Sequence, residues 1–240
     1  MSGPSVVAAQ PLEEVPLLEA EGLTVGYGST PVVRDLCLKV MPGEVVALLG
    51  SNGAGKTTTL LGLAGELAPT AGEVRWCGAP LTGPLHVRSR RGLGFVTEEK
   101  SVIFGLSVYG NLRLGRGDIE MAFELFPELK PLRRRKAGTL SGGEQQILTF
   151  ARALSRRPKV LIADELSLGL APLVVRRLIN AIRDIAATGV GVLLVEQQVQ
   201  TALTYSERAY VLKRGRVAIT GRSSDLLKQI NDIERNYISE

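Results

Sequence analysis

The stretch GSNGAGKT, Gly50 to Thr57, constrains the fold more than any other part of the 240-residue chain. It fits the pattern G-x-x-x-x-G-K-[ST] throughout, and it lies between an apolar run, EVVALLG, and a helix-forming run, KTTTLLGLAGEL. A continuous apolar run of this kind suits a strand buried on both faces of a parallel sheet. The glycines then let the backbone wrap so that successive N–H groups converge on one anion, and the following helix adds partial positive charge at its N-terminus. Gly50, Ser51, Asn52, Gly53, Ala54, Gly55, Lys56, Thr57 and Thr58 are therefore expected to cradle the phosphates of a nucleoside triphosphate, a loop that by itself does not choose between kinase, GTPase, motor and transporter ATPase. In such a loop Lys56 neutralises the β- and γ-phosphates, and the Thr57 hydroxyl ligates Mg2+.

Other apolar runs also end in polar side chains. VLIADE places Asp164 and Glu165 just beyond a buried strand, and VLLVEQQ places Gln197 beyond another. Open α/β sheets bind ligands at that edge. Asp164 is placed to hold Mg2+ through water, and Glu165 to orient and polarise an attacking water. SGGEQQILTFARALSRRP reads as a helix with Ile147, Phe150, Ala151 and Leu154 on one face, stopping at Pro158. Its start, Ser141-Gly142-Gly143-Glu144, is a capping box. The same helix start exposes N–H groups to an anion, and since Gly50 to Thr58 already hold this chain's own phosphates, it points to another subunit's nucleotide. A further helix, APLVVRRLINAIRDIAATG, has Val174, Val175, Leu178, Ile182 and Ile185 spaced for burial. LLEAEGLTVGYG and PVVRDLCLKV read as an antiparallel pair, GEVRWCGAPL as another strand, and AYVLKRGRVAITG as a hairpin turning at Arg214-Gly215. Strands alternating with helices predict an α/β fold built on a mostly parallel sheet, with an antiparallel addition at its start.

Composition excludes several classes. No apolar run approaches the roughly 20 residues of a membrane-spanning helix. Residues 1–16 contain two acids and no basic start, and they read as a disordered lead, not a signal peptide. Cys37 and Cys77 lack metal-ligand spacing and read as reduced structural thiols in the cytoplasm. A net charge of +5 permits an acidic partner. The basic clusters, Arg88, Arg90 and Arg91, then Arg133 to Lys136, carry no interleaved aromatics, so they read as solvated surface with no nucleic-acid partner. The only histidine, His86, falls in an expected loop.

Taken in order, GSNGAGKT, LSGGEQQ and VLIADE resemble the ATP-binding subunit of ABC transporters over nearly the whole chain. LSGGEQ is far more specific to that family than the phosphate loop. The resemblance implies a P-loop NTPase core with an antiparallel β part and a helical part carrying the signature. On this pattern residues 17–222 form the nucleotide-binding domain, about 98–157 its helical part, and 223–240 a helical tail. It also implies a dimer that sandwiches ATP, with Ser141, Gly142, Gly143 and Glu144 completing the partner's site. Carried over by position, Tyr27 matches the aromatic that stacks on adenine, and Glu98 replaces the glutamine that contacts Mg2+ and the membrane partner. Ala171 replaces an aspartate facing the other subunit, and Gln197 replaces the histidine that contacts the γ-phosphate.

These departures, with SLGLAP and ELFPEL, resemble the second ATPase of branched-chain amino acid importers and related amide and urea importers. The expected activity is ATP hydrolysis coupled to import at the cytoplasmic face of the membrane. The expected partners are a second ATP-binding subunit (a copy or a relative), permease subunits and, indirectly, an external solute-binding protein. Thr97, Leu166 and a shortened helical segment near Arg116 depart even from that subgroup. A soluble ABC ATPase acting on DNA or ribosomes would carry a long coiled coil or tandem domains, and neither occurs here. An inert ATP-binding module sits poorly with intact Lys56, Asp164 and Glu165.

Overall fold

The computed structural model describes residues 15–97, 99 and 101–238. Residues 1–14 of the expected lead, and Glu98 among the expected ligands, lie outside the described residues.

Strands β1 (Leu18–Tyr27) and β2 (Thr30–Val40) pair antiparallel, from Leu18↔Val40 to Tyr27↔Thr30. Burial on β1 passes from Leu18 and Ala20 to Leu23 and Val25, so the inward positions switch from even to odd. A register shift between Ala20 and Leu23 causes that switch, as an inserted residue in a pleated strand must. After β3 (Val45–Leu49) and helix α1 (Lys56–Ala64) come β4 (Ala71–Trp76) and the short β5 (Ala79–Pro80). These complete a four-stranded sheet in the order β2-β1-β4-β5. The antiparallel pair thus belongs to a separate sheet, where the sequence suggested an addition to the parallel one.

Helix α2 (Leu85–Arg90), β6 (Leu93–Val96), α3 (Val108–Leu114), α4 (Ile119–Leu125) and α5 (Gly142–Leu154) follow. The chain continues through β7 (Val160–Asp164), α6 (Pro172–Ala186), β8 (Gly191–Glu196) and α7 (Val199–Tyr205). It closes with the hairpin of β9 (Arg208–Lys213) and β10 (Arg216–Arg222), then α8 (Ser223–Leu227) and α9 (Ile230–Ile233). The second sheet has the order β10-β9-β3-β8-β7-β6, and all its pairings except β9 with β10 are parallel.

Every residue of β3, β7 and β8 is buried, which is why their sequences are continuous and not alternating. Within β3, Val46 and Leu48 pack with the first sheet and α1. Ala47 and Leu49 pack with α7 and with Leu226 and Ile233 of the last two helices. The opposite flank of the core joins α3 to α6 with Leu161, Ala163, Val192 and Leu194. Because Leu49 pairs with Glu196 and Asp164 with Val195, the loops after β3, β8 and β7 leave one sheet edge side by side.

Three expectations need correction. Arg88 is not solvated: it is 4% exposed, with Nε donating to the Gly83 carbonyl at 2.8 Å and Nη1 to the Leu63 carbonyl at 2.6 Å. Nη1 also reaches the Gly62 carbonyl at 3.3 Å, which the Gly65 N–H already bonds, so the last-turn carbonyl of α1 that depends on the guanidinium is that of Leu63. His86 lies in α2 and not in a loop. Cys37 and Cys77 are free, as expected, but exposed and not part of the core. Arg90, Arg91 and the run from Arg133 to Lys136 are exposed, as expected.

Replacing Arg88 with Met keeps the stem and removes the donors, leaving the buried Leu63 carbonyl without its partner. The expected cost is roughly 2–3 kcal/mol. That corresponds to a fall of roughly 5–10 °C in the thermal unfolding midpoint for a chain of this size. Arg90→Met, on the exposed side of the same helix, should leave the midpoint nearly unchanged.

Candidate nucleotide-binding site

From the end of β3 the chain enters the glycine-rich loop. Gly55 has φ 106°, a left-handed conformation that disfavours a side chain, and a Cβ there would lie 3.1 Å from Val33 Cγ2. Gly55 caps α1 without a side-chain bond, so the positive end of the helix opens onto the space that the loop encloses. Lys56 is 5% exposed, and its Nζ donates to the carbonyls of Gly50 at 2.8 Å and Ser51 at 3.2 Å. It also stands 3.7 Å from Glu165 Oε1. Burial pulls its pKa below the usual lysine value, while the carboxylates of Glu165 and Asp164 oppose that shift.

Gln197 follows β8 directly, and its Nε2 donates to Glu165 Oε1 at 2.7 Å and to Asn52 Oδ1 at 2.8 Å. It does not cap α7, because Gln198 occupies that position and makes no side-chain cap bond. Asn52, Gln197, Glu165 and Lys56 therefore form one polar chain across the mouths of three loops. Around it lies a cleft of about 430 Å³ lined by Val32, Asn52, Gly53, Gly55, Lys56, Thr57, Thr58, Glu165, Leu168 and Gln197.

Glu165 has φ 47°, a left-handed conformation that costs a non-glycine residue about 1 kcal/mol or more. Its N–H donates to the Val195 carbonyl at 2.9 Å, tying the turn to β8. Asp164 is buried at the end of β7, while Thr57 is exposed at the start of α1. Hydroxyl and carboxylate oxygens are the donors that a hard cation such as Mg2+ takes, usually together with substrate phosphates, so the residues present fit that ion.

The other expected residues lie around this cleft or away from it. Tyr27 sits at the end of β1 with its ring 55% exposed, and Val32 of the paired strand lines the cleft. Ser141 caps α5: its Oγ accepts from the Glu144 N–H at 3.3 Å, and Glu144 Oε2 accepts from the Ser141 N–H at 2.7 Å. Gly142 opens that helix, and Gly143 packs on Val174 so closely that a Cβ would lie 3.0 Å from its Cγ2. None of these four residues lines the Lys56 cleft. Ala171 caps α6 without a side-chain bond.

Two polar residues escaped the sequence reading. Glu196, 2% exposed, accepts from the Ser167 N–H at 2.9 Å and from the Ser167 hydroxyl at 2.6 Å. Burial raises its pKa, and the bonds from Ser167 oppose that shift. The available signal was an acidic residue closing an otherwise apolar strand, since a buried carboxylate requires donors. Asn111, fully buried, accepts from the Ile103 N–H at 2.8 Å and donates to the carbonyls of Ile103 and Ser107, both at 3.1 Å. It thereby holds a segment on which Ile103, Phe104, Leu106 and Tyr109 are exposed.

A phosphate loop, a strand-end carboxylate pair and a glycine-rich capped helix on one α/β frame define a P-loop NTPase. Residues 33–167 match the ABC transporter family model, and the chain belongs to that family as one of its ATP-hydrolysing subunits. It is 38% identical over 221 residues to the high-affinity branched-chain amino acid transport ATP-binding protein BraG of Pseudomonas aeruginosa, covering 88% of this chain and 95% of that protein. It is 37% identical over 238 residues to the lipopolysaccharide export system ATP-binding protein LptB of Escherichia coli strain K12, covering 93% and 97%. Among solved structures, a dimeric, post-hydrolysis ATP-binding cassette bound to ADP and Pi superposes with a TM-score of 0.73 at 25% identity, covering 86% and 98%.

Lys56→Ala removes a cation facing a polyanion, and ATP affinity should fall by roughly 10- to 100-fold, the range for hydrogen bonds to charged groups. Titration with a fluorescent ATP analogue measures it, and wild-type affinity would contradict the placement. Gln197 offers only a neutral amide, so Gln197→His should raise turnover and Gln197→Ala lower it, with binding little changed. Turnover indifferent to both changes, alone and with a partner ATPase, would remove Gln197 from the reaction.

Proposed function

We propose that this chain is the energy-coupling ATPase of an importer for branched-chain amino acids. It would work at the cytoplasmic face of the membrane with a second ATP-binding subunit and permease subunits, supplied with solute by an external binding protein. The observation that carries the ATPase reading is the polar chain of Asn52, Gln197, Glu165 and Lys56 at one sheet edge. In this reading Gly50 to Thr58 bind ATP, and Tyr27 stacks on adenine. Thr57 and Asp164, with Glu98, hold Mg2+, which supplies positive charge to the phosphate oxygens. Lys56 exchanges the Gly50 and Ser51 carbonyls for phosphate oxygens. Gln197 holds Glu165 by one carboxylate oxygen, leaving the other to take a proton from water. Ser141, Gly142, Gly143 and Glu144 complete the second subunit's site.

Two features support import. Gln197 and Ala171 stand where the resembled importer subgroup departs from most of the family, and the similarity to BraG spans most of both chains. The exposed Ile103, Phe104 and Leu106 would dock a permease, a few residues beyond Glu98, where the resemblance places the contact with the membrane partner. Among the described residues no helix is long and apolar enough to cross a membrane. The similarity to LptB makes an exporter ATPase the second reading. Amide or urea import, and a soluble ATPase uncoupled from transport, stand behind it.

The test is reconstitution with the branched-chain amino acid permeases and binding protein of the same organism, measuring ATP-dependent uptake of labelled leucine, isoleucine and valine. Glu165→Gln keeps the shape but removes the base, so uptake and hydrolysis should fall at least ~10²-fold while ATP binding persists. Uptake of urea or a short amide instead would change the solute. Release of lipopolysaccharide would change the direction.

A further inference from the structure

We infer that Glu196 is a positioning residue for hydrolysis: its buried carboxylate grips Ser167 with both oxygens and so fixes the turn that carries Glu165. The inference rests on the proposed role of Glu165.

The turn after β7 holds itself poorly. Its internal backbone bonds are long, with the Leu168 N–H to the Glu165 carbonyl at 3.3 Å and the Leu170 N–H to the Ser167 carbonyl at 3.4 Å. Glu165 also sits in a left-handed conformation that a side chain disfavours, and such a conformation persists only where the surroundings over-determine it. The shorter bonds all come from the end of β8. The Val195 carbonyl accepts the Glu165 N–H at 2.9 Å, and Glu196 accepts the Ser167 N–H at 2.9 Å and its hydroxyl at 2.6 Å. Gln197, next along, donates to the Glu165 carboxylate itself at 2.7 Å. Three consecutive residues of one strand end thus hold the backbone before the turn's bend, the backbone beyond it, and the side chain between. Among residue types only a carboxylate accepts two bonds at once in this geometry without needing a donor partner of its own. Burying one is unfavourable unless it is fully bonded, and Ser167 supplies those bonds.

The clamp predicts a particular kinetic pattern. Glu196→Ala leaves the Ser167 N–H and hydroxyl without their acceptor and frees the turn. The kcat for ATP should fall by about tenfold or more, because small misplacements of reacting groups are costly. KM and nucleotide affinity should stay within a factor of about two, since the residues that hold the phosphates are untouched. Glu196→Gln keeps an acceptor for the N–H and offers its NH2 to the Ser167 oxygen, so kcat should return to within about threefold of wild type. In a Glu165→Gln background, Glu196→Ala should cause no further loss, because it acts through Glu165. Thermal unfolding gives the folded fraction for each variant. If Glu196→Ala does not fold, Ser167→Ala, which keeps the N–H bond, reads the same effect on kcat at smaller size. Normal kcat per folded molecule, a Gln variant no better than Ala, or an equal loss without Glu165 would each overturn the inference. Failure of Glu165→Gln to slow hydrolysis would overturn the proposed function instead, so the two outcomes separate cleanly.

Discussion

Parallel pairing of β3, β8 and β7 is the constraint on which the rest depends. All three strands are buried along their length, so none can slip in register without exposing polar residues to the core or apolar ones to water. Parallel register also sends their carboxyl ends the same way. Leu49 beside Glu196, and Val195 beside Asp164, fix the starting points of three loops in a row, each within one strand spacing of the next. Residues as remote as Asn52 and Gln197 can then share a hydrogen bond.

Around that edge the protein places charge economically. Lys56 is nearly buried and held by carbonyls, with a carboxylate within ion-pair range. The glutamine at position 197 joins Glu165 to the phosphate loop as a neutral donor, so the edge carries no second cation at that point. A histidine there could become charged, and its charge would depend on pH near neutrality. The glutamine makes the same position insensitive to pH.

Much of this was legible in the chain. The phosphate loop, the buried strands and the capping box at Ser141 each rest on residues adjacent in sequence, where spacing alone carries the physics. The features that escaped rest on distant partners. Strand β6 is four residues long with a glycine inside it, and it exists because Leu93 to Val96 pair with Val160 to Ala163. Arg88 looked like its exposed neighbours until helix α1 supplied carbonyls for it. Glu196 is bonded by a serine that arrives from another strand's loop. A side chain's need for a partner is visible in sequence, but the partner's identity is not.

The position of β3 in the sheet also bears on how the molecule is made. The phosphate loop is translated early, yet the strand that presents it lies between β8 and β9, whose residues come some 150 positions later. Its outer face waits longer still, for Leu226 and Ile233 to cover Ala47 and Leu49. On the ribosome, β3 therefore emerges lacking both neighbours, an apolar ribbon with open hydrogen-bonding edges that invites aggregation. The phosphate loop is thus made early and the nucleotide site completed late, so a nascent chain gains its grip on ATP only near the end of its synthesis.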